Sequence, residues 1–344
     1  MSSDLVRFKE LIGIAACGRP LTFEEAGEAF AMMMAGDATP AQMAGLLMAL
    51  RVRGESIDEI TAGARTLRER MTRITAPAGA IDTCGTGGDA SGTFNISTAA
   101  ALVVAGAGVP VAKHGNRGLS SRSGSSDVLT ALGVDIEAPF PVIEHAMREA
   151  GIGFMMAPRH HGAMRHVAGP RVELGTRTIF NLLGPLANPA GVRRQVVGVF
   201  ALDWIEPLAR VLGRLGAERA WVVHGEPGLD ELSTAGTTHV AEWHEGEMRR
   251  FTVEPEPLGL ARVELAALRG GDAATNAAAI RAMLGGEGGP LREAVLLAAA
   301  AGLVVGGAAA DLPAGIARSA EAIDSGRARA CLDRLVRITN EDRL

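Results

Sequence analysis

The sequence has few aromatic residues and contains no tyrosine. Its 344 residues include nine phenylalanines and three tryptophans, and aromatic residues make up only 3% of the chain. Proteins that hold single-stranded nucleic acids stack the bases on aromatic side chains, so this scarcity argues against such a surface. The core must therefore be built from Ala, Val, Leu and Ile, which allows helices to pack closely.

The sequence also lacks an excess of basic residues. It has 34 Lys and Arg against 39 Asp and Glu, which gives a formal net charge of −5. This balance argues against a nucleic-acid-binding protein that works through a broad positive field. It leaves room for a small basic pocket that binds a phosphorylated small molecule.

Cysteines are sparse, and no apolar run is long enough to span a membrane. Cys17, Cys84 and Cys331 have no spacing typical of a zinc site or a redox pair, so we expect reduced thiols. The longest apolar run, 295–310, is shorter than the ~20 residues of a membrane-spanning helix, and a buried helix is expected instead. The N-terminal segment has acidic residues and no long apolar core. We therefore expect no signal peptide, a cytoplasmic location and no membrane partner.

The first seventy-odd residues predict helices only. Capping boxes at 22–25 (TFEE), 39–42 (TPAQ) and 56–59 (SIDE) separate stretches with helical periodicity of apolar residues. Three or four short helices bury little core by themselves, so we expect them to pack on the rest of the chain or on a second copy. From about Pro77, short β-rich runs alternate with helical stretches.

This alternation is typical of βαβ units and predicts an α/β fold with a largely parallel sheet covered by helices. Two later runs flank Glu245-Gly246 and predict a β-hairpin. Three helical stretches are expected to close the chain. The candidate strands are 80–83, 109–114, 151–157, 195–200, 220–225, 239–243 and 247–253, and the closing helices are about 272–285, 289–306 and 313–339.

A glycine-rich loop follows the first candidate strand, in the segment 82–98 (DTCGTGGDASGTFNIST). The strand leads to Gly85, Gly87 and Gly88, and a helix is expected to begin near Ser97. Glycines let the backbone approach a ligand, and a helix N-terminus offers free amides with partial positive charge. The segment predicts a phosphate-binding loop that is neither a Walker loop nor a GxGxxG turn. A tight strand-to-helix connection is the alternative.

Basic and small hydroxyl residues alternate after the second candidate strand, in the segment 113–129 (KHGNRGLSSRSGSSDVL). Its basic residues are Lys113, His114, Arg117 and Arg122. Such side chains donate to phosphate oxygens, and Ser/Gly backbones form anion-binding turns. A solvated basic loop is the alternative. Two anion-binding loops on neighbouring strand ends predict a ligand with two separate phosphate groups.

Two further segments carry charged groups. Asp230 and Glu231 are adjacent after a candidate strand and offer the hard oxygens that Mg²⁺ takes beside substrate phosphates, with an acidic helix cap as the alternative. The segment 155–190 holds histidines and arginines without a carboxylate or cysteine at ligand spacing, so it predicts a cationic pocket for an anionic ligand rather than a metal site. At least one of its histidines is expected only to pack. These residues are His160, His161, His166, Arg165, Arg171 and Arg177.

These four segments, in this order, resemble the signature blocks of the anthranilate phosphoribosyltransferases, the tryptophan-pathway members of the nucleoside-phosphorylase-like phosphoribosyltransferases. The resemblance covers nearly the whole chain and rests on GTGGD with TFNIST, KHGNR with SGS and DVL, HH and AM before RTIFNLLGPLANPA, and DE before STAG. It implies a small N-terminal helical domain, 1–75, that forms a homodimer contact. It also implies a larger α/β domain, 76–344, with a largely parallel central sheet flanked by helices.

The resemblance also implies a reaction and its site residues. The phosphoribosyl group of 5-phosphoribosyl 1-pyrophosphate (PRPP) would pass to the amine of anthranilate with release of pyrophosphate, in tryptophan biosynthesis. Lys113, His114, Asn116 and Arg117 would be catalytic, and Ser97, Asp230 and Glu231 would bind Mg²⁺, two ions per subunit. Anthranilate would contact Gly85, Asn116, His161 and Arg171. PRPP would be held by Gly85, Gly88, Asp89, Thr93, Asn95, Ile96, Ser97, Thr98, Lys113, His114, Gly115, Asn116, Arg117, Gly118, Leu119, Ser120, Ser121 and Ser125.

Three positions depart from the family pattern and leave the choice of aromatic acceptor open. Gly162 stands where the family has Pro, Val172 where it has a cation, and Ala298 where Asn is common. Two other functions stay open: a nucleoside phosphorylase of the same fold, and a non-enzymatic relative that binds nucleic acid or a regulatory ligand. The Asp-Glu pair disfavours the first, and the net charge of −5 disfavours the second. No convincing general base is evident, and His114 is only a candidate.

Overall fold

A computed structural model describes residues 3–89, 91–118 and 122–341. The chain forms two compact units: unit 1 comprises Met1–Arg73 and Pro158–Pro189, and unit 2 comprises Ile74–Ala157 and Ala190–Leu344. The segment Pro158–Pro189 therefore groups with the N-terminal helices, although the resemblance implied a division at 75/76. This grouping depends on contacts between distant parts of the chain, which local sequence patterns do not encode.

The helices of unit 1 include α1 (Ser3–Ala16), α2 (Phe23–Ala35), α3 (Pro40–Arg53), α4 (Ile57–Arg70), α9 (Arg165–Leu174) and α10 (Phe180–Leu183), and α8 (Ala157–His160) begins at the unit boundary. All three capping boxes form. The side chains of Thr22, Thr39 and Ser56 each accept the amide three residues on, and that residue's side chain accepts the amide of the capping residue. These local signals place the starts of α2, α3 and α4 where the sequence predicts them.

Glu59, in the capping box of α4, is fully buried, and its carboxylate accepts hydrogen bonds from several parts of unit 1. Its carboxylate accepts the amide of Leu21 at 2.8 Å and the amide of Ser56 at 2.8 Å, and it pairs with the guanidinium of Arg53. A buried carboxylate is tolerated only where donors replace its hydration. Glu59 therefore joins the chain before α2 to the end of α3 and the start of α4.

Replacement of Glu59 by Gln should destabilise the protein. The amide keeps one oxygen but turns an N–H₂ group toward donors, and it leaves Arg53 without its charge partner. We expect a loss of about 2 kcal/mol in the free energy of unfolding, measured by urea denaturation. Glu69→Gln is the control, because Glu69 forms an exposed pair with Arg65 on the same helix and should contribute less than about 0.5 kcal/mol. Equal effects of the two changes would contradict this assignment.

Unit 2 contains a seven-stranded sheet with the order β3-β2-β1-β4-β5-β6-β7. The first five strands are parallel, and β6 and β7 continue the sheet antiparallel to β5 and to each other. All seven predicted strands are present. Glu245 and Gly246 form the predicted hairpin turn, both with positive φ. The strands are β1 (Ile81–Gly85), β2 (Val111–Gly115), β3 (Ile152–Met156), β4 (Arg194–Gly198), β5 (Arg219–Gly225), β6 (Thr238–His244) and β7 (Glu247–Val253).

The helices of unit 2 are α5 (Ile96–Gly106), α6 (Ser125–Ala131), α7 (Phe140–Glu149), α11 (Ile205–Arg214), α12 (Ala273–Leu284), α13 (Pro290–Val305), α14 (Leu312–Asp324) and α15 (Arg327–Asn340). The long apolar run forms α13, which is buried along most of its length, as predicted. Among the described helices, none is long and apolar enough to cross a membrane. The prediction of one helix over 313–339 is wrong, because Gly326 adopts a left-handed conformation (φ 75°) between α14 and α15.

The parallel strands bring three distant loops to one edge of the sheet. Strand β1 lies between β2 and β4, and β5 lies beside β4 in the same direction. The carboxyl ends of β1, β2 and β5 therefore share an edge, which is where ligands bind in open α/β sheets. The glycine-rich loop, the basic loop and the loop with Asp230 and Glu231 follow these three strands.

Candidate active site

The two adjacent carboxylates are held by backbone amides of the glycine-rich loop and of α5. Asp230 Oδ2 accepts the amide of Gly87 at 2.6 Å, and Glu231 Oε1 accepts the amide of Ser97 at 3.0 Å. Ser97 lies in the first turn of α5, so Glu231 caps a helix that is 134 residues away in sequence. The helix-cap alternative thus describes part of what Glu231 does, but the helix is not the one that follows it.

Two glycines allow the close approach of Asp230. A Cβ atom on Gly85 would lie 2.5 Å from Asp230 Oδ2, and a Cβ atom on Gly198 would lie 1.6 Å from the carbonyl oxygen of Asp230. Any other residue would displace the acidic loop. Gly85 was predicted as a site residue, whereas the role of Gly198 was missed, although a glycine that ends a buried strand can signal close backbone approach.

The hydrogen bonds from the Gly87 and Ser97 amides offset only part of the cost of burying the two carboxylates. Burial, and then the neighbouring charges of Asp89 and Glu231, raise the pKa of Asp230 well above its usual range. Burial raises the pKa of Glu231 to about 7, against the opposing effects of Lys113 and of hydrogen bonds from Ser97. A cation bound here would favour the ionised forms of both groups.

The donor set fits Mg²⁺ shared with a ligand rather than a cage made only by protein. No group of three His, Cys, Asp or Glu within the described ranges has the geometry to hold a metal ion. Mg²⁺ is usually bound through one or two carboxylates together with phosphate oxygens and water, and two carboxylates are present. The Ser97 side chain hydrogen-bonds to Glu231, so the three predicted metal ligands lie next to one another.

Lys113 and His114 lie within strand β2, and both are buried. The Lys113 side chain is 2% exposed, and its Nζ donates to the carbonyl oxygen of Thr83 at 2.6 Å. The backbone amide of His114 donates to Asp82 Oδ1 at 3.3 Å. Lys113 therefore places positive charge beneath the sheet edge, near Glu231, rather than on the surface of the loop.

The basic loop after β2 is closed by Asp127 from the first turn of α6. Asp127 Oδ2 accepts the amides of Gly118 at 3.0 Å and Gly124 at 2.8 Å, which lie on either side of the loop. Asn116 and Arg117 are exposed between the strand and this closure. The sequence analysis missed Asp127, although an acidic residue three positions after the N-cap of a helix, here Gly124, is typical of a capping box. The predicted residues Leu119, Ser120 and Ser121 lie outside the described residues.

The remaining residues of the loops have mixed environments. Ser125 Oγ donates to the Asn116 carbonyl at 3.3 Å, and a Cβ on Gly115 would collide with that hydroxyl. Ser91 Oγ donates to Asp89 Oδ2 at 2.6 Å. The other predicted PRPP residues lie on the glycine-rich loop or on α5. On the loop, Gly88 has positive φ, Thr93 forms an isolated antiparallel β-bridge with Arg269, and Asn95 precedes α5. On the helix, Ile96 and Thr98 have side chains buried in the core.

Unit 1 holds the predicted cationic segment. His160 Nδ1 lies 2.8 Å from the carbonyl oxygen of Thr72, which confirms that at least one histidine serves in packing. Burial, with a smaller effect of His160, lowers the pKa of His161 to about 4. The Arg171 guanidinium lies 5.4 Å from the centre of the Phe180 ring, where the cation is attracted to the aromatic face.

The three departures from the family pattern have different environments. Gly162 and Val172 are exposed, and the side chain of Val172 is 79% accessible. Ala298 is buried on α13 and lines a small cavity together with Ser97 and Glu231. The smaller side chain at 298 therefore leaves space beneath the predicted metal ligands.

The buried His161 should make unfolding depend on pH. Its folded-state pKa of about 4 lies below the ordinary value of 6.5, so the unfolded chain binds more protons between these values. Stability is retained above pH 6.5 and is lost as the pH falls toward 4, by about 3 kcal/mol. We expect His161→Gln to reduce this loss in urea titrations from pH 7 to 4, whereas His145→Gln, at an exposed position, should leave the profile unchanged. Superimposable profiles for the parent and His161→Gln would contradict the expectation.

Models of one known protein family match both parts of this chain. The α/β domain model of the glycosyl transferase family matches residues 78–329, and the helical bundle domain model of the same family matches 9–71. The anthranilate phosphoribosyltransferase of Paramagnetospirillum magneticum is 61% identical over 98% of this chain and 97% of its own. That of Rhodospirillum rubrum is 61% identical over 96% of this chain and 95% of its own.

Solved structures agree with these matches. The anthranilate phosphoribosyltransferase of Thermus thermophilus superposes with a TM-score of 0.91 at 48% identity, over 96% of this chain and 99% of the other. The enzyme of Saccharomyces cerevisiae, solved in complex with PRPP and Mg, superposes with a TM-score of 0.89 at 26% identity, over 98% of each chain. The same yeast enzyme has been solved with 4-fluoroanthranilate.

Proposed function

Because this chain belongs to the anthranilate phosphoribosyltransferases of the glycosyl transferase family, we propose that it transfers the phosphoribosyl group of PRPP to the amine of anthranilate. The products are N-(5′-phosphoribosyl)anthranilate and pyrophosphate. The observation that carries the proposal is the shared sheet edge, where the glycine-rich loop, the basic loop and the Asp230–Glu231 pair follow β1, β2 and β5.

The PRPP site comprises the two loops and the start of α5. The first turn of α5 places partial positive charge toward phosphate oxygens, while the Gly87 and Ser97 amides are held by Asp230 and Glu231. Arg117 and Asn116 are exposed on the basic loop, where they can donate to phosphate. Asn95, Ser97 and Ser125 carry polar side chains on the same loops. The side chains of Ile96 and Thr98 are buried in the core, so Thr98 contributes through its backbone. The Ile96 amide donates to the Phe94 carbonyl at 2.8 Å, so Ile96 contributes by placing the start of α5.

Mg²⁺ fits the site through Asp230, Glu231 and the hydroxyl of Ser97, and we propose two ions per subunit. The ion, when bound, supplies positive charge that stabilises the pyrophosphate leaving group. The raised pKa values of the two carboxyl groups support this assignment, because a bound cation would favour the ionised forms that burial, and to a lesser extent the neighbouring carboxylates, disfavour. Lys113 adds a fixed positive charge from beneath.

The chain's own groups act mainly by positioning and by electrostatics. The reaction is a displacement at C1 of the ribose, in which the C1–O bond to pyrophosphate breaks and a C1–N bond to the amine forms. Cations and backbone amides stabilise the negative charge that develops on pyrophosphate. An aromatic amine needs little activation, so its proton passes to water or to the substrate carboxylate, and His114 has no required role as a base. For the acceptor, the family resemblance assigns Gly85, Asn116, His161 and Arg171 to anthranilate, with Arg171 paired with its carboxylate.

Two further features complete the proposal. The protein forms a homodimer through the N-terminal helices of unit 1. It works in the cytoplasm, where its cysteines, Cys17, Cys84 and Cys331, remain thiols as they are in the structure.

The test is to mix the purified protein with anthranilate, PRPP and Mg²⁺ and to follow anthranilate fluorescence. A loss of fluorescence that requires all three components supports the proposal. No loss with folded protein contradicts it, and phosphorolysis of nucleosides and a gel-shift assay with salt titration then test the two other functions.

Replacement of Asp230 by Asn should abolish most turnover. The amide oxygen can still accept the Gly87 amide, so the loop is retained while the charge is lost. We expect kcat/KM to fall by about 10²-fold or more in the fluorescence assay. Asp203→Asn, at an exposed position outside the sheet edge, should remain at the parent rate. Near-parent turnover in Asp230→Asn would refute the metal-binding role.

Replacement of Arg171 by Gln should raise KM for anthranilate by about tenfold and leave KM for PRPP nearly unchanged, because only the acceptor carboxylate loses its partner. Val172→Ala is the matched control, since this neighbouring side chain is exposed to solvent. Both constants come from steady-state rates with one substrate varied at a time. A rise in the KM for PRPP alone would assign Arg171 to the other substrate.

A further inference from the structure

A buried asparagine on α12 is connected to both phosphate-binding loops. Asn276 is 1% exposed, and its Oδ1 accepts the amide of Gly271 at 2.7 Å. Its Nδ2 donates to Asn95 Oδ1 at 2.9 Å, and Asn95 Nδ2 donates in turn to the carbonyl oxygen of Ser123 at 3.0 Å. Asn95 precedes α5 on the glycine-rich loop, and Ser123 lies on the basic loop.

In the series of hydrogen bonds from Gly271 through Asn276 and Asn95 to Ser123, the groups at the two ends determine which atom donates in each bond. Gly271 offers an N–H, which can only donate, and Ser123 offers a carbonyl oxygen, which can only accept. Asn95 must therefore turn its amide nitrogen toward Ser123 and its oxygen toward Asn276. Asn276 must then turn its nitrogen toward Asn95 and its oxygen toward Gly271, so both amide orientations follow without ambiguity.

Only a side chain that both donates and accepts at this distance satisfies position 276. An Asp would place a second oxygen against Asn95 Oδ1, and an apolar residue would leave the Gly271 amide without this acceptor. Space is also restricted, because a Cβ on Gly270 would lie 2.8 Å from Asn276 Oδ1. Neither of these observations depends on a bound ligand.

Backbone contacts support the same part of the glycine-rich loop. The Phe94 amide donates to the Leu268 carbonyl at 3.0 Å, and the Gly270 amide donates to the Gly92 carbonyl at 2.9 Å. The segment 268–271 thus lies along residues 92–94. Asn276 adds side-chain hydrogen bonds to this backbone support, and through Asn95 it connects α12 to the basic loop.

We propose that Asn276 is a positioning residue for PRPP: through Asn95 it fixes the glycine-rich loop and the basic loop at the separation that the two phosphate groups of one ligand require. This inference rests on the proposed function for the identity of the ligand. It adds a residue outside the loops, which touches no substrate and acts through Asn95. Buried polar networks of this kind favour a single arrangement of the groups that they connect.

The test compares Asn276→Asp with the parent in steady-state kinetics, calorimetry and thermal unfolding. The substitution nearly preserves side-chain volume but removes the N–H group that donates to Asn95. The Asn95 oxygen is then left without this donor, and an unsatisfied buried polar group changes the equilibrium constant of the arrangement it belongs to by about tenfold or more. We expect KM for PRPP to rise about tenfold and KM for anthranilate to change less than about twofold. Asn340→Asp is the control and should leave both constants unchanged, because Asn340, at the end of α15, donates to the carbonyls of Val336 on the same helix and of Gly133 after α6.

A selective rise in KM for PRPP supports the proposal. A lower melting temperature with an unchanged KM for PRPP overturns it, as does an equal rise in both KM values, since either result describes a purely structural residue. Should Asn276→Asp not fold, Asn276→Ser, which introduces no charge, is measured in its place. Should the parent show no turnover, the proposed function fails, and the Kd of PRPP with Mg²⁺ from calorimetry decides this inference: about tenfold weaker binding supports it, and equal or absent binding overturns it.

Discussion

The candidate site depends on two hydrogen bonds between distant parts of unit 2. The Gly87 amide holds Asp230 and the Ser97 amide holds Glu231, across 143 and 134 residues of sequence. Two adjacent carboxylates, with Asp89 close by, are costly to keep together away from water, and the raised pKa values of Asp230 and Glu231 express that cost. The backbone amides offset part of it, and a cation would offset the rest.

This arrangement favours a ligand that carries its own negative charge. In the proposed function the acidic loop binds Mg²⁺, and the first turn of α5, the basic loop and Lys113 act on phosphate, so each set of charges has a partner in the ligand. An Mg²⁺ complex of a pyrophosphorylated sugar satisfies both sets at once. In the proposed reaction the same groups would stabilise pyrophosphate as its bond to the sugar breaks, so that positioning and electrostatics carry the chemistry.

Features with a local physical cause could be predicted from the sequence. The capping boxes of α2, α3 and α4, the seven strands and the Glu245-Gly246 turn each depend on neighbouring residues, and all were found. The ends of α14 and α15 were not, because the helical periodicity continues on both sides of Gly326 and conceals the break. The grouping of Pro158–Pro189 with the N-terminal helices was missed because it depends on tertiary contacts.

The residues of the candidate site also fall into those that local sequence patterns predict and those that only the folded structure reveals. Motif residues such as Gly85 and Asp230 were named because their types and spacing suggest chemistry. Gly198 and Asn276 act through contacts with parts of the chain that no local pattern connects to them, and their roles became visible only once the loops were placed in space. Asp127 differs, because the two amides that it accepts lie three and nine residues away.

The most direct measurement is the calorimetric binding of PRPP to the purified protein with Mg²⁺ and, in parallel, with the metal removed by a chelator. If the carboxylate pair and the anion-binding loops form one site, PRPP should bind with Mg²⁺ and lose affinity by about tenfold or more without it. Binding of equal strength under both conditions would contradict a shared site, because it would show that the carboxylates do not take part in holding the ligand.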